Sequence, residues 1–419
     1  MVKKKLYIYY FVLLLVLCSW VSTASTPPIV VKVFYLFALF TPAVFKSPNM
    51  LIPVLICFLS VSLYAFSYSF MPTERYYYIY VLILLLFFRK KSWGQLQAPP
   101  IILVILGLYV ICVDYFNGGN LANIDYSLLV IIFSFFFISK SGNEQELYIL
   151  SFLFITIILS IYFFIYRENA RVETSVDGRI YWVDPNYLGN VCAMGVVLAY
   201  HSIINKTASC KLVRNLCLST VILGSIMLAL NASRGAFLSA SVSIVLITFF
   251  SKIKFSRKIG IVVCVILAVL ILYAMGSFDL LLERTVGGDD DTGNGRTIIW
   301  STKLLAFMQK DFADHLFGLG YNGGFNLGIR GGYGFHNDYL ALLVDYGIVG
   351  FILFTTCLLH PLYLVYKYPT YRILVISLIV FLLVCCMTLE PLTAGSCTYW
   401  FFYLVILLFA RWSKFSSQR

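Results

Sequence analysis

A histidine at the edge of an apolar segment and two arginines beside helix starts are the residues of this sequence best suited to chemistry. His336 stands where the glycine-rich stretch Tyr321 to Gly334 gives way to the apolar run that begins at Asp338. Its imidazole titrates near neutral pH, so it can take a proton from an attacking hydroxyl. The plainer alternative is a helix cap shared with Asn337 and Asp338. Arg234 falls in the short connection Asn231-Ala-Ser-Arg-Gly235 between two apolar runs. An arginine at membrane depth costs about 2.5 to 3.5 kcal/mol, so such residues usually have a functional partner; the alternative is a side chain that snorkels to the interface. Arg296 opens a stretch with helical periodicity, and a helix start suits an anion. Because a guanidinium grips two phosphate oxygens at once where an ammonium offers a point charge, Arg234 and Arg296 read as ligands of a phosphate-bearing anion.

A second rank of polar residues surrounds these. Arg167, Arg171, Arg179 and Arg284 lie beside Glu168, Glu173, Asp177 and Glu283, so pairing with neighbouring acids competes with a role toward substrate. Arg330, in the glycine-rich turn, belongs with them. Asp184 precedes Pro185, which fits the first position of a helix, and capping alone accounts for the aspartate; Asn186 is a candidate for sugar hydroxyls. Asp345 lies inside an apolar run, where a carboxylate orients a partner or pairs with an arginine. Asp289, Asp290 and Asp291 have a spacing that suits magnesium or manganese. They are embedded in glycines, however, and a metal site wants rigidly held ligands. The run is therefore read as a solvated lid, with neither a metal nor a cofactor expected.

These residues need elements to hold them, and the composition says what kind. Of the 419 residues, 61% are hydrophobic and 12% charged, with a mean hydropathy of +0.89, far outside soluble domains. The fold class is an all-α integral membrane protein. Apolar runs of spanning length fall near 6 to 21, 28 to 45, 50 to 70, 75 to 88, 99 to 114, 125 to 139, 147 to 166, 186 to 204, 215 to 231, 235 to 251, 259 to 275, 338 to 359, 371 to 389 and 397 to 411. The count is about 14 transmembrane helices, within a range of 12 to 14. The chain divides into helices 1 to 11 over 1–275, one large loop over 276–337, and helices 12 to 14 with a tail over 338–419.

The net charge of +12 does not mark a nucleic-acid binder, because the basic residues come in clusters between apolar runs. Loops that alternate with respect to the membrane hold 20 of the 31 lysines and arginines, from Lys3 to Arg419, which makes that side cytoplasmic. Both termini then lie in the cytoplasm. The other 11 include 8 arginines, and this excess on the outer face again points to an anion. Within the large loop, Ile298, Ile299, Leu304, Leu305, Met308, Phe312, Leu316 and Phe317 recur at helical spacing and predict one amphipathic helix of about five turns lying flat on the membrane.

The run HNDYLALLVDYGIVGF (336–351), preceded by Arg296 with Trp300 and by LFGLG (316–320), resembles the signature of the O-antigen polymerase and O-antigen ligase superfamily. NASRGAF (231–237) and DPNYLGN (184–190) are similar to further signatures of that group. The resemblance implies a GT-C type glycosyltransferase of the bacterial inner membrane, independent of metal and nucleotide. Its donor and acceptor would be undecaprenyl-pyrophosphate-linked oligosaccharides, and a chain-length regulator protein would be a partner. By that resemblance, Arg234 and Arg296 would hold the pyrophosphate and His336 would deprotonate the acceptor hydroxyl. Fourteen spans favour a polymerase over a ligase of about twelve. A flippase for lipid-linked glycans is the alternative of another class; it would spread charged residues and broken helices through the midplane, whereas here they gather at one surface.

Overall fold

The computed structural model describes residues 99–118, 132, 145–166, 185–231, 233–274, 296–328, 334–388 and 397–416. The expected spans at 6 to 21, 28 to 45, 50 to 70 and 75 to 88, and nearly all of that at 125 to 139, lie outside them. So do Asp289 to Asp291. Every regular element among the described residues is helical: α1 (Ile101–Phe116), α2 (Gln145–Tyr166), α3 (Pro185–Ile204), α4 (Lys211–Leu230), α5 (Arg234–Phe250), α6 (Phe255–Ala274), α7 (Arg296–Met308), α8 (Phe312–Phe317), α9 (Asp338–Lys367), α10 (Arg372–Thr388) and α11 (Cys397–Ser416), with short 3-10 turns at Gly323–Asn326 and Pro369–Tyr371. Three segments, Lys211–Leu230, Asp338–Lys367 and Pro369–Thr388, are long and apolar enough to cross a bilayer, and α1 is a shorter apolar helix.

Two compact units emerge. In the first, α2, α3, α4 and α5 pack together, and the polarity pattern is that of a membrane bundle. Ser151, Thr156, Ser160, Asn190, Ser239 and Ser243 are buried, while Leu212, Leu218, Ile222, Val245, Phe249 and Phe250 are exposed. Small and hydroxyl side chains let helix backbones approach closely where lipid removes the hydrophobic drive between helices. Gly189 of α3 shows how tight this is, since a methyl group there would come within 2.8 Å of Ala236 Cβ.

In the second unit, α9 packs against α1, α8, α10 and α11. The expected span at 338 to 359 continues to Lys367, and it is broken at Gly347, whose backbone is left-handed at φ 65°. A break leaves the last carbonyls of the first segment without helical donors. Here they are taken from outside: Leu319 N–H donates to Val344 O (3.0 Å), Gly320 N–H to Asp345 O (2.8 Å) and Tyr109 Oη–H to Tyr346 O (2.7 Å). Gly318, also left-handed at φ 86°, faces Gly347 so closely that a Cβ on either would strike the other strand's backbone.

The amphipathic stretch departs from expectation. It forms two helices, interrupted at Gln309–Asp311, because Asp311 takes an extended conformation (ψ 161°) that starts α8 anew. His315 then turns back to hydrogen-bond Phe307 O at 2.9 Å through Nε2 and stacks edge-on against the Phe307 ring. The anticipated single apolar face also splits. Ile299 and Phe307 are buried, whereas Ile298, Leu305, Met308, Phe312 and Phe317 are exposed. The buried face of α7 runs Ile299, Lys303, Phe307.

Candidate functional site

In the second unit, the N-termini of α7 and α9 and the C-terminus of α10 meet. Arg296 begins α7, and its Nη1–H donates to Thr388 O at 3.1 Å, at the end of α10 where helix carbonyls lack partners. One turn later on the same face of α7, Trp300 Nε1–H donates to Phe335 O at 2.7 Å. Tyr339, in the first turn of α9, donates its hydroxyl to Leu383 O at 3.0 Å, one turn before the end of α10. The last two of these bonds fasten the segment that carries His336, one on each side of it.

His336 itself is exposed and has φ 51°. A left-handed backbone is uncommon for a residue other than glycine and is held only where neighbours over-determine it. Both neighbours do so. On one side, Phe335 is buried and its carbonyl is bound by Trp300. On the other, Asn337 is the N-cap of α9, with Oδ1 accepting from Tyr339 N–H (3.0 Å) and Leu340 N–H (3.3 Å). Asn337, not His336, does the capping. The alternative reading of His336 as the helix cap is thereby removed, and an exposed histidine remains at a backbone position held on both sides.

Behind this strand lies a polar clamp on the glycine-rich turn. Asp345, 4% exposed, accepts Gly324 N–H through Oδ1 at 2.8 Å rather than serving only as a free intramembrane charge. Lys303, fully buried, donates its ammonium to Gly324 O and, at 3.0 Å, to Phe325 O. The same ammonium sits 5.4 Å from the centre of the Phe335 ring. On α1, Asp114 accepts Tyr321 N–H at 2.7 Å. Sequence reasoning passed over Lys303 and Asp114. The available signal was Lys303 at helical spacing between Ile299 and Phe307, a charge on the apolar face.

The first unit holds Asn186 and Arg234. Pro185 opens α3, as its position after Asp184 predicts, and Arg234 opens α5. Arg234 thus belongs to a helix start and not to the middle of a five-residue connection. The two starts touch: Ser233 Oγ–H donates to Asn186 Oδ1 at 3.1 Å, and Gly189 packs against Ser233 and Ala236. That bond ties the Asn186 side chain to the N-cap residue of α5. It also diverts Ser233 from capping α5, and two adjoining helix N-termini give the region of the Arg234 backbone a positive potential. The side chain of Arg234 lies outside the described residues, as do Asp184, Arg167, Arg171, Arg179, Arg284 and Arg330. Among the described residues no cluster of histidine, cysteine or carboxylate side chains could hold a metal ion.

An exposed base on a strand fixed at both ends, with a guanidinium at the start of the helix that fixes it, suits transfer of a group from an anionic leaving group to a hydroxyl. Comparison with known families gives a match: residues 219–355 fit the family model described as O-antigen ligase. The matched segment runs from α4 into α9 and contains Arg234, Arg296, Trp300, Lys303, His336, Asn337 and Asp345. It includes the stretches NASRGAF, LFGLG and HNDYLALLVDYGIVGF, while DPNYLGN precedes it. The search of curated proteins found no match.

Proposed function

From the premise that residues 219–355 carry the O-antigen ligase domain and ally this membrane protein to the O-antigen ligase and polymerase superfamily, we propose that the chain is an O-antigen polymerase. It transfers a glycan from undecaprenyl pyrophosphate onto another lipid-linked repeat unit at the periplasmic face of the inner membrane, as a metal-independent GT-C type enzyme. The observation that carries this reading is His336, exposed and left-handed beside a helix that Asn337 caps. In the reaction, the His336 imidazole takes the proton of the acceptor hydroxyl as its oxygen attacks the anomeric carbon. The bond from that carbon to the pyrophosphate oxygen breaks. Arg234 and Arg296 neutralise the charge that accumulates on the departing lipid pyrophosphate. Such a leaving group departs readily, so orientation, charge neutralisation and a base suffice.

A second reading is favoured by the wording of the matching family, O-antigen ligase, in which the glycan goes to lipid A core. One variant separates the two on a lipopolysaccharide gel. Losing a general base costs about 100- to 10,000-fold in rate, enough to empty a polymer ladder. For a polymerase, His336→Ala leaves core bearing a single repeat unit, because a separate ligase still transfers unpolymerised units. For a ligase, the same change leaves bare core while polymer accumulates on the lipid carrier. A full-length ladder from stably expressed His336→Ala would remove His336 from the chemistry altogether.

A further inference from the structure

Lys303 is the residue of the second unit whose burial is hardest to explain by stability. Taking an ammonium out of water costs several kcal/mol unless geometry and hydrogen bonds compensate, and a leucine or methionine would fill the same position of α7 without that cost. The buried face of α7 runs Ile299, Lys303 and Phe307, with the partly buried Arg296 and Trp300 beside it. The contacts of Lys303 share one destination. Its ammonium bonds Gly324 O and Phe325 O and faces the Phe335 ring. Asp345 binds the N–H of the same Gly324, so opposite charges hold the two ends of one residue. Trp300, three residues earlier, binds the Phe335 carbonyl. Adjacent turns of α7 thus hold Phe335 at two points, its carbonyl and its ring, and the next residue is His336.

We propose that Lys303 is a positioning residue for His336, fixing the Phe335 ring and through it the direction in which the imidazole is presented. This rests on the reading of His336 as the general base. A cation over an aromatic face is directional and strengthens out of water, so it holds the ring where an aliphatic side chain would only fill space. Misplacing a reacting group by about 1 Å can cost about 100-fold in rate, and the ring is one residue away from the base.

The test uses the purified full-length chain in lipid nanodiscs, with the lipid-linked glycan fraction from cells lacking this chain as donor and acceptor. Rates are taken per folded molecule. Lys303→Met, close in volume and uncharged, should leave the KM for donor within about two-fold and lower kcat by about 30- to 100-fold. Introduced into His336→Ala, the same substitution should change the residual rate by less than about two-fold, since a residue acting through His336 has nothing left to act on. A purely structural lysine would lower the yield of folded protein and leave kcat per folded molecule unchanged, which overturns the proposal. An equal loss of rate in the His336→Ala background overturns it as well. If His336→Ala alone keeps the wild-type kcat, the general-base reading is what has failed. Should Lys303→Met not fold, Phe335→Leu removes the ring and keeps both carbonyl bonds of the lysine; the same kcat loss and the same lack of additivity are expected, and a wild-type kcat would again overturn the proposal.

Discussion

Arg296 holds a helix-end carbonyl, and the question at the scale of the residue is whether that is its whole purpose. A guanidinium has five N–H donors in a fixed fork, and one of them reaches Thr388 O. A lysine could serve a single carbonyl as a point charge, whereas paired bonds to a pyrophosphate need the fork. Charge-assisted bonds are worth about 1.5 to 3 kcal/mol each, so Arg296→Lys and Arg234→Lys should each lower the rate by about ten- to a hundred-fold at unchanged expression. Near-normal glycan ladders from both variants would leave Arg296 as a clasp for α10 only. His336 and Arg296 stand out in the sequence because each sits where polarity changes abruptly, at a loop meeting an apolar run. Lys303 does not. Its spacing with Ile299 and Phe307 puts it on one apolar stripe, but Ile298, Leu305 and Met308 mark a competing stripe, and the structure shows that α7 turns those outward and the lysine inward.

At the scale of the element, the decisive feature is the crossing of LFGLG with the break in α9. Gly318 and Gly347 are both left-handed, and each lies against the other's backbone. An alanine at either position meets two penalties, about 1 to 3 kcal/mol for the backbone conformation and a clash with a carbonyl that has no flexible end to yield. Gly318→Ala and Gly347→Ala should each lower the thermal midpoint of the purified protein, by more than Gly260→Ala, whose surroundings are open. Equal midpoints for the three variants would mean that the crossing is not formed. Helix positions were largely legible: the runs expected at 99 to 114, 147 to 166, 186 to 204 and 371 to 389 correspond to α1, α2, α3 and α10. The breaks were hidden because the spacing of apolar residues carries on across them. Gly347 sits inside VDYGIVGF, and the apolar spacing of Leu304, Leu305 and Met308 carries on through Phe312, so neither interruption alters the pattern that sequence reading relies on.

At the scale of the molecule, the reaction requires that His336 and both arginines face the compartment where the lipid-linked substrates are joined. The lysine and arginine census alone assigns that side, and by that reading 167 to 185 and 276 to 336 are periplasmic. The aspartate run belongs to the same loop. Read as a lid, Asp289, Asp290 and Asp291 replaced together by asparagine should leave activity within about ten-fold of wild type, because no ligand set for a metal is lost. The purified enzyme should tolerate EDTA, and abolition with recovery on magnesium or manganese would make the run a metal site. The orientation itself is open to a direct measurement. Alkaline phosphatase folds actively only outside the cytoplasm, where its disulfides form. Fused after Gly293, in the large loop, it should be active, and fused after Ser256, at the basic start of α6, it should be inactive. Lys252, Lys254, Arg257 and Lys258 surround that second point, and by the charge bias that sets topology they should hold it in the cytoplasm. The reverse pattern would put His336 on the side away from the periplasmic substrates, and the polymerase and ligase readings would fall together.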